Sequence, residues 1–169
     1  MQWSLRLPER LGWGVSDSGR TSIASSTRIP SPVAEGRPLR GLIDTSVVID
    51  LETVSKDQLP AEMAISVMTM AELAAGPHAT DDPDERARRQ DRLQRTEATF
   101  EPLPVDASVA RAYGRLYAAV RAGGRKARGR RAVDLFVAAT ALAAGVPVYT
   151  KNPRDFEGLS GLINLVVVD

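Results

Sequence analysis

An α/β fold with a mostly parallel, doubly wound sheet is what this sequence predicts, and three observations predict it. From residue 41 onward, short β-rich apolar runs alternate with longer helical patterns, the order that sets parallel strands between covering helices. Strand candidates such as VPVYT, residues 146 to 150, are almost wholly apolar, which suits burial on both faces of a sheet. A chain of 169 residues, 43% hydrophobic and 25% charged, can bury one core of ordinary composition.

The first 40 residues are rich in Ser, Gly, Pro and Arg and keep neither period 2 nor period 3.6; they read as a disordered extension before a domain over 41–169. No apolar stretch of signal-peptide length follows the first charges. Gly41 to Ile43 reads as the first strand, Thr45 to Leu51 as a turn or two of helix, and Met63 to Met68 as a second β-rich run. Thr69 then caps MAELAAG, with Glu72 three positions on as in a capping box and Gly76 as the stop.

Residues 82 to 99 form a charged helix, acids first and Arg later as the helix dipole prefers. Phe100 to Val105 reads as a proline-interrupted edge strand, and Asp106 caps a helix through about Val120. A Gly-broken basic loop, residues 121 to 131, leads into a helix from Ala132 to Ala144 that ends at Gly145. The VPVYT strand, a turn and short helix over NPRDFEGL, and a last strand from Leu165 to Val168 complete the chain.

Four carboxylates gather at one edge of this scheme. Asp44 follows the first strand, Glu72 and Asp134 sit in the first turns of their helices, and Asp155 lies just beyond VPVYT. In a doubly wound sheet, strand C-termini and the N-termini of the following helices share an edge, and ligands bind there. Asp134 follows a helix rather than a strand. That helix is ~24 Å long, and the loop from Ala122 to Arg130 can span ~30 Å if extended, so the chain can return to the same edge.

Each acid also has a plainer role. Asp44 and Asp155 could cap the helices they precede, Glu72 could complete the capping box, and Asp134 could simply favour the helix dipole. Taken together, four converging carboxylates repel one another unless a cation sits among them. Oxygen donors without Cys or a nearby His favour Mg²⁺ or Mn²⁺ over Zn²⁺. Such a site activates water against a phosphodiester.

Bulk properties narrow the function classes. The chain has no cysteine, which excludes disulfides and thiolate chemistry and suits a cytoplasmic protein. No apolar run approaches the ~20 residues of a membrane span. The net charge of +1 is uneven: residues 1–40 hold six Arg against three acids, leaving 16 basic and 18 acidic residues for the rest. A mildly acidic domain needs a local source of phosphate-binding charge, and Arg125, Lys126 and Arg128 of the basic loop, with Lys151 beside Thr150, are the candidates. A haloacid-dehalogenase-like phosphatase would need Asp where Ser46 stands, and GxGxxG of a dinucleotide site is absent.

The blocks LIDTSVVID, MTMAELAAG, RAVDLFVAATALAAGVPVYTKNPRDFEGL and the closing VVVD resemble those of PIN-domain ribonucleases, specifically the VapC toxins of bacterial toxin–antitoxin pairs. The resemblance spans 41–169 and is strongest in D-x-x-x-A-A-T-A-x-x-x-G followed by T-x-N-x-x-D-F. It implies a three-layer α/β/α sandwich and a metal-dependent endoribonuclease whose acidic quartet is Asp44, Glu72, Asp134 and Asp155. Asp44, Asp134 and Asp155 would bind Mg²⁺ or Mn²⁺, with Glu72 acting through water. Ser46, Thr150 and Asn152 match the polar residues beside the acids. The family further implies a homodimer, a VapB-type antitoxin that masks the site, and a structured RNA of the transfer or ribosomal class as substrate. The alternative is a PIN-like domain that binds RNA or a partner without cutting.

Overall fold

The computed structural model describes residues 33–34, 37–124 and 129–169. A short antiparallel pair, β1 (Val33–Ala34) and β2 (Arg37–Pro38), leads into the first sheet strand, β3 (Arg40–Ile43). The earlier part of the predicted disordered extension lies outside the described residues. After β3 come α1 (Thr45–Ile49), β4 (Glu62–Ala64), α2 (Val67–Ala75), α3 (Pro83–Thr99), α4 (Ala107–Ala122), α5 (Arg130–Ala144), β5 (Val148–Thr150) and β6 (Leu165–Val167).

The main sheet has the order β4-β3-β5-β6, with every pairing parallel. The chain leaves β3 to add β4 on one side and returns to add β5 and β6 on the other. The switch point of this doubly wound sheet therefore lies between β3 and β5, where ligands of such folds bind. Alternation along the strands divides the core in two. Leu42 and Val148 face α4 and α5 among Leu116, Leu135 and Ala138, whereas Ile43 and Tyr149 face Val47, Leu73 and Leu93 of α1, α2 and α3. The result is the expected α/β/α sandwich. Among the described residues no helix is long and apolar enough to cross a membrane.

Gly41 sets the spacing of the central strands. A Cβ there would overlap the Tyr149 ring and stand 2.9 Å from Pro60 Cγ, and Tyr149 is fully buried with no room to withdraw. Gly41→Ala is expected to destabilise the fold by about 1–3 kcal/mol through overpacking, which urea unfolding would measure as a lower midpoint.

Local chemistry moves several boundaries. The second β-rich run is shorter than its apolar pattern suggests, because Ser66, not Thr69, caps α2. The Ser66 hydroxyl accepts the Thr69 N–H at 3.0 Å from an extended backbone, which satisfies the free end of the helix three residues early. Glu72 is consequently in the second turn and belongs to no capping box. Gly76 keeps right-handed backbone, so the chain runs on into a 3₁₀ turn, Gly76–Ala79, before α3 begins after its cap, Asp82.

The Phe100 to Val105 segment is not a strand. Only Leu103 pairs, giving its N–H to Ile65 and taking that of Val67 at 2.9 Å each, since Pro102 and Pro104 carry no N–H to extend a ladder. Asp106 caps α4 as expected, accepting from Ser108 and Val109. α5 starts at Arg130, two residues before the predicted Ala132, so Asp134 also falls in a second turn. Asp155 lies inside a 3₁₀ turn, Pro153–Phe156, rather than capping it.

Candidate active site

Asp44 follows β3 at the C-terminal edge of the sheet and is 7% exposed. Its Oδ1 accepts the Val47 N–H at 3.1 Å and the Ser46 hydroxyl at 2.6 Å, and its Oδ2 accepts the Thr150 hydroxyl at 2.5 Å. The capping role anticipated for Asp44 is thus real, and it leaves a carboxylate held from both sides. Thr150 ends β5; while donating to Asp44, its oxygen accepts the Asn152 N–H at 2.9 Å. Ser46 likewise accepts the Lys151 N–H at 3.0 Å. Both hydroxyls therefore tie the start of α1 to the end of β5, across the switch point.

Glu72 reaches the same edge from α2. Its Oε2 accepts the Thr45 hydroxyl at 2.5 Å. All four acids line one pocket of about 100 Å³, together with Thr45, Ser46, Asn152 and a single cation among the described lining residues, Arg130. The apolar wall includes Val137 and Phe156.

The electrostatics of the pocket appear at Asp134. Its carboxyl is pushed up to about 6, first by burial and then by the charges of Asp155 and Glu72, with Asp44 adding to them and Arg130 opposing. Both desolvation and like charge disfavour the ionised form. A bound cation would reverse that balance.

The donors around the pocket are all oxygen. Among the described residues, no three acids or histidines stand close enough to hold one ion together. An all-oxygen lining suits a hydrated hard cation, which takes one or two carboxylates and keeps water or substrate oxygens for the rest. A closed tetrahedral centre would need more.

The candidate cations separate. Lys151 Nζ pairs with Asp50 at 2.8 Å and does not line the pocket. Arg125, Lys126 and Arg128 lie outside the described residues. Arg130, the last but one residue of the basic loop that the sequence offers as phosphate-binding charge, does line the pocket. The polar pocket residue that the sequence reading missed is Thr45, which carried no signal because its contact with Glu72 spans 27 residues. His78, the chain's one histidine, is exposed and does not line the pocket.

Comparison with known proteins agrees with this architecture. A family model described as the PIN domain matches residues 41–162. Ribonuclease VapC5 of Mycobacterium tuberculosis is 35% identical over 134 residues, spanning 78% of this chain and 96% of the relative. The crystal structure of a member of the VapBC family of toxin-antitoxin systems, VapBC-5 from Mycobacterium tuberculosis, superposes with a TM-score of 0.67 at 36% identity, over 78% of this chain and 98% of that one. VapBC2 from Rickettsia felis shares the fold alone, with a TM-score of 0.60 at 19% identity over 77% of this chain and 99% of its own. The chain belongs to the PIN-domain family and, within it, to the VapC ribonucleases.

Proposed function

We propose that this protein is a Mg²⁺- or Mn²⁺-dependent endoribonuclease, the toxin of a toxin–antitoxin pair, hydrolysing phosphodiester bonds in structured RNA. The observation that carries the reading is the convergence of Asp44, Glu72, Asp134 and Asp155 on one pocket at the sheet's switch point. The names of the relatives support ribonuclease activity, and the VapBC-5 structure supports a VapB-type antitoxin as partner. By the same kinship the protein works in the cytoplasm as a homodimer, on transfer or ribosomal RNA.

Asp44, Asp134 and Asp155 would hold the ion, directly or through its water shell, and Glu72 would act on it through water. A divalent cation there supplies an acidified water and offsets charge on the phosphodiester during in-line displacement. The chain's own residues prepare for this. Ser46 and Thr150 fix the Asp44 carboxylate from opposite sides. Asp134 must lose its proton to serve as a ligand, which favours neutral and higher pH. Thr45 orients Glu72 toward the pocket edge. Thr45→Val is expected to slow cleavage about tenfold, in the range typical of lost outer-shell partners. Thr45→Ser should retain most of the rate in single-turnover assays.

The direct test is incubation of total RNA with purified protein and Mg²⁺ or Mn²⁺, with EDTA as control, followed by sequencing of the new 5′ ends. Discrete ends that vanish in EDTA are expected. RNA binding without any metal-dependent ends would make the protein a binding module instead.

A further inference from the structure

The pocket is acidic, yet its substrate is a polyanion, so something in the pocket must meet the phosphate. The geometry points to Arg130 as that group: a substrate-binding residue whose guanidinium contacts an RNA phosphate at the carboxylate pocket. This rests on the nuclease reading above and deepens it by naming how the chain itself holds its substrate.

Two observations carry it. Arg130 lines the same pocket as the four acids and opens the helix that bears Asp134. Its side chain is exposed, and among the described residues it forms no ion pair, whereas the nearby Lys151 is already joined to Asp50.

An Arg placed to neutralise the acids permanently would be expected in a bidentate pair with one of them. Arg130 instead lines the pocket with its side chain exposed and without such a pair among the described residues. Its planar fork matches a phosphodiester's two non-bridging oxygens. Beside an ion at the carboxylates, it would add positive charge at the phosphate, which stabilises charge developing in phosphoryl transfer. Its position fits the task. Arg130 opens α5 and lies four residues before Asp134, so substrate contact and ion contact sit on one face of one helix.

The test measures binding apart from cleavage. Fluorescein-labelled bulk transfer RNA is titrated with wild type, Arg130→Gln and Arg130→Lys, in EDTA and in Ca²⁺, across a range of KCl. Arg95→Gln serves as a control with the same charge change on α3, outside the pocket. Melting temperatures establish that each variant folds. Arg130→Gln is expected to weaken binding several-fold and to flatten the salt slope by about one counter-ion. Arg130→Lys should keep the slope, and Arg95→Gln should leave it as in wild type.

Equal slopes for wild type and Arg130→Gln would overturn the assignment. So would a variant changed only in melting temperature or in Mn²⁺-induced stabilisation, since Arg130 would then be merely a counter-charge to the acids. If wild type cleaves total RNA while the slopes coincide, the inference about Arg130 fails alone. If wild type neither binds nor cleaves, the nuclease reading fails with it.

Discussion

Asp44→Asn is expected to abolish metal-dependent RNA cleavage while leaving the fold in place. Asn keeps the shape of Asp and one carbonyl oxygen, so the Val47 N–H and the Ser46 hydroxyl retain their acceptor. The amide replaces Oδ2 and donates to Thr150, whose hydroxyl must then turn elsewhere. That costs about 1 kcal/mol and is offset by removing one charge from a crowded pocket. The melting temperature should accordingly stay within a few degrees of wild type. Activity has no such compensation. A ligand's charge contributes several kcal/mol to a metal centre, and about 1.4 kcal/mol is a factor of ten in rate, so a loss of at least about a hundredfold is expected. Single-turnover cleavage with Mn²⁺, beside thermal melts of the same preparations, checks both halves. Equal cleavage by wild type and variant would remove Asp44 from the chemistry and leave it a helix cap.

Asp134→Asn should stabilise the metal-free protein at neutral pH and lose activity with it. The carboxyl titrates at about 6 in the folded chain against an ordinary 3.8, so the folded state binds the proton more tightly than the unfolded one. Stability contributed by this group is therefore lost as pH rises from 3.8 toward 6, and the penalty is complete above that. Because the side chain is partly exposed, screening reduces the effect to about 1 kcal/mol. The neutral variant escapes it. In EDTA, Asp134→Asn should melt about 2–4 °C above wild type at pH 7.5 and at the same temperature near pH 4. Added Mn²⁺ should reverse the order at pH 7.5, because only wild type gains from binding. A difference that ignored pH would trace the stabilisation to packing instead of charge.

The sequence carried the layering of the fold because local patterns are strong where one face is buried. Leu42 and Ile43, like Val148 and Tyr149, alternate between the two cores as period-2 strands must. The cap with a clear polar signal, Asp106, was equally legible. Competition between similar signals was not. Ser66 and Thr69 are both good caps, and backbone conformation alone chose the earlier one. Leu103 looked like part of a strand, but the prolines beside it limit pairing to one residue.

The convergence of the acids at one edge was readable from element order. The second-turn positions of Glu72 and Asp134 were not, since they depend on where each helix starts. Long-range partners such as Thr45 with Glu72 and Thr150 with Asp44 leave no mark in a single sequence, because nothing local records a contact across 27 or 106 residues.

Asp44 is stitched into the centre of the sheet. Its N–H pairs with Tyr149 at 3.0 Å and its carboxylate with Thr150, both on the adjacent strand. Asp155 instead rides on a single turn whose neighbours Pro153, Arg154 and Glu157 are exposed. The two acids therefore belong to different cooperative units. Amide hydrogens at Leu42 and Asp44 should exchange with solvent only when the whole domain unfolds, and those of Asp155 and Glu157 through local opening. An ion shared by the two acids, as proposed, would slow exchange in the outer turn far more than in the strand, because the strand's acid is held in place before binding and the turn's only after it.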